Sequence, residues 1–173
     1  MISDFIRNLL YLRQFYLLEK EFRIFGKNFY IQPMKQLAFF QRNLEKKFGK
    51  KALNEIYEAS KQSFFEICKD WKKFSTNKKT FLDAVLKLIQ HFGFGEIEIV
   101  EIKEKENRAS LQLKANHFAK EYLKLFGKQK SCVDYLLAGI LAGFFSEYFE
   151  KEVECEEKNC IAKGETFCSF LVH

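Results

Sequence analysis

The segment from residue 132 to residue 173 most constrains the fold of this chain, because it contains a cluster of potential metal ligands. Four of the five cysteines lie there: Cys132, Cys155, Cys160 and Cys168. Glu157 precedes Cys160 by three residues, and Gly164 lies between Cys160 and Cys168. Thiolates and carboxylates are ligands that zinc accepts in tetrahedral sites. The spacing therefore predicts a metal site that fixes the C-terminal part of the chain.

Two other interpretations of these cysteines are a set of disulfides and solitary buried thiols. No secretory signal precedes the first predicted helix, so we expect a cytoplasmic protein whose thiols stay reduced. The odd number of cysteines, five, also disfavours a complete disulfide framework. A metal site is the interpretation that we favour.

Length and charge narrow the function classes. A chain of 173 residues is long enough for one domain with a substantial core, so we predict a single domain over residues 1–173. The net charge is +6, but lysines and glutamates alternate along the same predicted helices. We interpret them as a solvated surface and do not expect nucleic acid as a partner. No apolar run reaches the roughly 18 residues that a bilayer requires, so we expect no membrane span.

The first half of the sequence predicts mostly helices. Residues 1–32 predict an N-terminal helix, apolar on several sides up to Leu18, followed by a hairpin that turns at Gly26. Three more helices are predicted, the first ending at Gly49, the second near Phe74, and the third running from a cap at Thr80 to about Phe92.

The second half predicts an antiparallel sheet. Hydrophobic residues alternate from Ile97 to Ile102, with a phase slip that indicates a bulge, and again from Ala109 to Leu113. Two helices follow, over residues 116–126 and 132–150, and closing strands are predicted over 153–157 and 167–172. Helices followed by strands joined as hairpins indicate an α+β fold, an antiparallel sheet with helices packed on it.

Two glycines, Gly139 and Gly143, lie four residues apart in the most apolar predicted helix. Each costs about 1 kcal/mol of helix stability relative to alanine, so close packing of another backbone must compensate. That backbone can belong to the same domain or to a second copy. Together with the apolar N-terminal helix, this pattern predicts a homodimer.

These features also carry a family resemblance. The helix from Leu136 to Phe144, followed by Glu157, Cys160 and Cys168, resembles the 4-vinyl-reductase domain family, and residues 92–95 fit it as well. That family is related to the phenol-sensing domains of bacterial activators and to the TRAPP vesicle-tethering subunits. The resemblance implies the nitric-oxide-signalling/Golgi-transport ligand-binding fold.

The resemblance further implies a structural zinc site. In the aromatic-sensing relatives one Cys before the glycine helix, one Glu and two later Cys hold the ion, and the matching residues here are Cys132, Glu157, Cys160 and Cys168. Cys155 lies two residues before Glu157, so on a strand both side chains point the same way and Cys155 could replace Glu157. Four protein ligands leave no open position, which is typical of a structural site.

Several functions fit these features. The favoured one is a sensor that binds an apolar or aromatic small molecule and acts through a dimer or a protein partner. The 21 phenylalanines either form the core or line a pocket, which we predict between the helices before Gly93 and the sheet. The alternatives are an accessory or catalytic factor in tetrapyrrole-type metabolism and an adaptor like the tethering subunits. No catalytic triad, phosphate loop or redox-cofactor motif stands out, so a binding module is favoured over an enzyme.

Overall fold

The computed structural model describes residues 15–17, 22–24 and 26–173, which fall in two compact units, Met1–Pro33 and Met34–His173. In the first unit, strands β1 (Phe15–Leu17), β2 (Phe22–Ile24) and β3 (Lys27–Phe29) form an antiparallel sheet in that order. Gly26 has a positive φ of 76° in the turn between β2 and β3, a conformation that glycine adopts without strain.

The N-terminal helix that the sequence predicts up to Leu18 lies mostly outside the described residues. Its described part, Phe15–Leu17, is strand β1 and not helix, so the prediction is wrong for these three residues. Tyr16 is paired with Arg23 of β2. Pairing with a neighbouring strand has overridden the apolar pattern, which by itself does not distinguish a buried helix from a buried strand.

The second unit contains five helices and four strands. The helices are α1 (Met34–Phe48), α2 (Lys50–Lys72), α3 (Lys78–Ile89), α4 (His117–Phe126) and α5 (Tyr135–Phe149). The strands are β4 (Ile97–Lys103), β5 (Arg108–Leu113), β6 (Cys155–Asn159) and β7 (Cys168–Val172). This confirms the predicted α+β class with an antiparallel sheet.

Local sequence signals explain how the helices begin and end. Gly49, with φ of 68°, separates α1 from α2. Asn77 caps α3, and its side chain accepts from the Thr80 backbone N–H while the Thr80 hydroxyl accepts from the Asn77 N–H. The predicted cap at Thr80 is therefore three residues late, because Thr80 is the reciprocal member of a capping box. A π-helical turn, Gln90–Phe94, follows α3.

The four-stranded sheet has the order β4-β5-β7-β6, and every neighbouring pair is antiparallel. The register of β4 shifts between Ile99 and Glu101, where the sequence predicts a bulge. Alternate residues of β5 and β7 are buried, as expected for a sheet with one face against the core. β6 lies at one edge, and its pairing with β7 brings the C-terminal cysteines together.

Helix α5 is the centre of the core, and its two glycines allow α2 to approach closely. A Cβ atom at Gly139 would lie 2.8 Å from Ser60 Cβ, and one at Gly143 would lie 2.8 Å from the backbone nitrogen of Phe65. Both distances are shorter than van der Waals contact, so only glycine permits this approach. The close packing expected at Gly139 and Gly143 thus occurs inside the domain, and the glycines no longer favour a dimer.

No helix in the described ranges combines the length and the apolar character needed to cross a membrane.

Candidate metal centre

The C-terminal strands bring a carboxylate and two thiols together. Ligand atoms of Glu157, Cys160 and Cys168 all lie within 4.8 Å of one another, and the two thiols are buried. Glu157 is on β6, Cys160 follows that strand and Cys168 begins β7. This group can hold a metal ion.

The chain between the two cysteines folds into a tight return. A 3-10 turn over Ile161–Lys163 ends at Gly164, whose φ of 93° is accessible to glycine without strain. The Ile161 backbone N–H donates to Cys168 Sγ over 3.3 Å. The eight-residue spacing of the cysteines therefore corresponds to one compact turn, and the turn backbone already donates to a ligand sulfur.

Glu157 is held in a way that leaves one oxygen directed elsewhere. Its Oε2 accepts from the backbone N–H groups of Val133 and Asp134, at 3.0 and 2.9 Å. Its Oε1 is buried and has no hydrogen-bond partner among the described residues. A buried carboxylate oxygen without a partner is costly, and a cation bound beside two thiolates would remove that cost. The residues present therefore fit a metal ion.

The pKa values of the cluster reflect shared protons. Hydrogen bonds from Cys132 and Cys168 hold the pKa of the Cys160 thiol far below its ordinary value, and the same contacts raise the pKa of both donors. Burial, together with the charges of Asp134 and Cys160, raises the pKa of Glu157 to about 9. One anionic sulfur is thus stabilised, whereas further negative charge is resisted. A divalent cation would reverse that resistance by compensating each deprotonated ligand.

The two remaining cysteines of this segment differ in position. Cys132 precedes α5, is half-buried, and lies beside Cys160, although its sulfur is not within 4.8 Å of all three clustered ligand atoms. Its thiol points toward the Lys158 carbonyl oxygen at 3.9 Å. Cys155 is buried on β6 outside the cluster. The structure thus brings three of the predicted ligands together with Cys132 next to them.

The sequence analysis missed the residues that position Glu157. Asp134 is buried and caps α5 by accepting from the Leu137 backbone N–H at 3.1 Å, and Asn116 donates to its other oxygen at 2.7 Å. Burial raises the pKa of Asp134 to about 7. Asn116 also caps α4 by accepting from Ala119 N–H at 2.9 Å. An Asp directly before an apolar run is an N-cap signal that could have identified Asp134.

Surface cavities surround this centre and the neighbouring helix. A cleft of about 470 Å3 is lined by Cys132, Tyr57 and Tyr135 among others, and it reaches the side of Glu157. A groove of about 670 Å3 lies between α2 and the end of α5, with Lys61 and Lys72 paired to glutamates along it. The compartment between α3 and the sheet, where a pocket is predicted, is packed with buried side chains such as Phe81, Val85 and Leu88.

Comparison with known proteins supports the family resemblance. Residues 116–173 match the family model of the 4-vinyl-reductase (V-4-R) domain, and this match includes the candidate metal centre. The uncharacterized protein MJ1460 of Methanocaldococcus jannaschii is 27% identical over 113 residues, covering 65% of this chain and 66% of that protein. The predicted resemblance to the 4-vinyl-reductase domain family is thereby confirmed.

Solved structures share the fold. The phenol-responsive sensory domain of the transcription activator PoxR, determined with phenol, matches with a TM-score of 0.82, 15% identity and coverage of 99% of this chain and 90% of that one. A vinyl-4-reductase family protein from Methanocaldococcus jannaschii gives 0.55, 18%, 82% and 81% for the same quantities. A trafficking protein particle complex subunit 3 from Naegleria fowleri, covalently bound to palmitic acid, gives 0.56, 13%, 81% and 93%.

Proposed function

We propose that this relative of the 4-vinyl-reductase domain family is a sensor domain for an apolar or aromatic small molecule, stabilised by a structural zinc ion. The observation that carries the proposal is the fold similarity to the phenol-responsive domain of PoxR, which extends over 99% of this chain. The candidate metal centre adds the second part. Fold similarity does not fix a ligand, so the ligand class is tested directly.

Zinc would be held by Cys132, Glu157, Cys160 and Cys168. Three of these ligands are already clustered, and Cys132 lies next to Cys160. Thiolate-rich sites with one carboxylate suit zinc better than magnesium or calcium, which prefer all-oxygen sites. Zinc bound there supplies folding free energy by joining the start of α5 to β6 and β7. The five cysteines form no disulfide, which suits the reducing cytoplasm that we propose as the location.

Elemental analysis tests the zinc proposal. Protein purified without added metal should contain about one zinc per chain. Less than about 0.2 equivalents, with no other metal present, would contradict it. Cys155→Ala is the matched control, because this thiol lies outside the cluster and its loss should leave the zinc content unchanged. If Cys155→Ala loses zinc and Cys132→Ala retains it, the ligand set is wrong while the metal proposal stands.

The ligand would enter the compartment between α3 and the sheet. Its walls are apolar side chains including Phe81, Leu88 and Leu111. The π-helical turn Gln90–Phe94 borders it and contains Gly93 with a φ of 90°. Such turns occur frequently at functional sites, and this one provides a segment that can rearrange around a ligand. Burying an apolar molecule there would gain about 25 cal/mol per Å2 of apolar surface removed from water.

A thermal-shift screen of the zinc-loaded protein against phenols, fatty acids and tetrapyrroles tests this proposal. A ligand that binds only the folded state raises the Tm in a concentration-dependent way. A saturable shift with phenols or fatty acids supports the sensor. A shift with tetrapyrroles alone favours the alternative of a factor in tetrapyrrole-type metabolism. No shift with any apolar compound would overturn the sensor proposal and favour the adaptor, for which the similarity to the trafficking subunit speaks.

We also propose that the sensor is a homodimer. The glycine helix no longer supports this, since Gly139 and Gly143 pack within the domain. The support comes instead from the apolar side chains that the helical part of the second unit exposes.

A further inference from the structure

An apolar groove runs between α1 and α2 on the surface of the second unit. It has a volume of about 430 Å3, and its lining comprises Phe40, Leu44, Phe48, Lys51, Ala52, Glu55, Ile56 and Ala59. Six of these eight side chains are apolar, so the groove offers little to a polar small molecule. A continuous apolar surface of this kind is typical of a protein interface.

The aromatic residues of the groove are more exposed than a stable isolated surface favours. Phe40 and Phe48 are each 56% exposed, and they lie with Leu44 on one stripe of α1 at a spacing of four residues. Phe39, by contrast, packs against Phe126 with ring centroids 5.3 Å apart. The stripe of Phe40, Leu44 and Phe48 therefore faces away from the core.

Two charged residues of the groove provide the sign of its partner. Lys51 and Glu55 lie one helical turn apart on α2 and are both exposed. Within residues 26–173, neither forms an ion pair, whereas Lys61 and Lys72 on the same helix each pair with two glutamates. One cation and one anion at the edge of an apolar stripe are self-complementary, because a two-fold axis between them sets each opposite its counterpart.

We propose that this groove is the interface between two copies of the chain, related by a two-fold axis that passes between Lys51 and Glu55. Lys51 of one copy then pairs with Glu55 of the partner subunit, and the reverse pair forms by symmetry. Phe48 of each copy lies over the apolar groove of the other. The inference rests on the homodimer proposed above and assigns its surface and its charge pairing.

Charge exchange is the sharpest test. Lys51→Glu gives a chain with two anions at this edge, and Glu55→Lys gives a chain with two cations. Each variant alone should dimerise about tenfold more weakly than wild type, since two ion pairs become like-charge contacts. An equimolar mixture should form a heterodimer with wild-type affinity, and the double variant K51E/E55K should dimerise by itself. A mixture that associates no better than either variant alone would overturn the charge pairing.

Sedimentation equilibrium of Phe48→Asp tests the apolar part of the interface. Placing a carboxylate over the groove should weaken dimerisation at least about a hundredfold. Val100→Asp is the matched control, because Val100 is a similarly exposed apolar residue, 66% exposed, on β4. A wild-type chain that is monomeric at high micromolar concentration, or a dimer that is insensitive to Phe48→Asp, would overturn the proposal.

Folding and ligand binding are measured on the same samples. Phe48→Asp should keep the wild-type zinc content and thermal shift, because neither depends on this groove. If the dimer interface is confirmed while no apolar compound binds, the sensor proposal fails and the interface stands. If ligand binding is found in a chain that is monomeric, the interface fails and the sensor stands.

Discussion

The C-terminal block (α5, β6 and β7) and the α1–α2 hairpin are contrasting surfaces of one unit. In the block, a polar atom is buried without a hydrogen-bond partner among the described residues, namely Oε1 of Glu157. In the hairpin, apolar rings are exposed without cover, namely those of Phe40 and Phe48. Both arrangements cost free energy in an isolated chain, the first by desolvation of a polar group and the second by hydration of apolar surface.

The difference teaches which kind of partner each region requires. A buried carboxylate beside thiols is compensated by a cation, which must be small because the ligand atoms lie within 4.8 Å of one another. An exposed apolar stripe is compensated by another apolar surface, which must be as large as a helix face. The chemistry of the uncompensated group thus distinguishes a metal site from a protein interface.

Removing a metal ligand should have the largest effect. Cys160→Ser deletes the sulfur that contacts both neighbouring thiols, so zinc should be lost together with about 4 kcal/mol or more of stability, or roughly 10 °C in Tm. Thermal melts with and without a chelator measure this. The chelator should lower the Tm of wild type and leave Cys160→Ser unchanged. A Cys160→Ser variant that melts like wild type would show that the block needs no metal.

Filling the contact between the two regions should have the next largest effect. In Gly143→Val the new side chain would meet the α2 backbone near Phe65, so we expect a loss of about 3 kcal/mol. Urea unfolding followed by the fluorescence of Trp71, the single and buried tryptophan, measures it. Gln62→Val on the exposed side of α2 is the control and should change stability by less than about 0.5 kcal/mol. Equal stability of both variants would mean that α2 and α5 do not pack closely.

The smallest effect is expected at the far end of the same contact. Lys72 pairs with Glu150 at 2.8 Å and Glu147 at 3.0 Å. The hydrogen bond to Glu150 raises the pKa of Lys72, and the hydrogen bond from Lys72 lowers the pKa of Glu150. The Glu150 contribution to stability is therefore present above its unfolded pKa and lost as the pH falls through the lower folded value. The Lys72 contribution is present below its unfolded pKa and lost as the pH rises through the higher folded value.

Comparison of Lys72→Met with wild type across pH measures this pair. The Tm difference should be only about 1–2 °C, because exposed pairs contribute little. It should be constant between pH 4.5 and pH 10.5, the ordinary pKa values of the Glu150 and Lys72 side chains, and it should shrink beyond either limit. High salt should reduce it. Lys79→Met on α3 is the control. A difference that grows below pH 4.5 would contradict the assignment.

The sequence by itself determined the elements whose signals are local. Period-two alternation identified β4 and β5, the phase slip identified the bulge after Ile99, and Gly49 marked the end of α1. Glu157, Cys160 and Cys168 were identifiable because their spacing along the chain is short enough for one strand and one turn to join them. The α+β class follows from the order of these elements.

Only the tertiary structure decided the contacts between distant residues. The pairing of β1 with β2 overrode an apolar pattern that predicted helix for Phe15–Leu17. Gly139 and Gly143 were equally compatible with packing inside the domain and across a dimer until α2 was found against them. The exposed stripe of α1 is likewise invisible in the sequence, since a helical pattern gives the spacing of its apolar side chains but not which of them the rest of the fold covers.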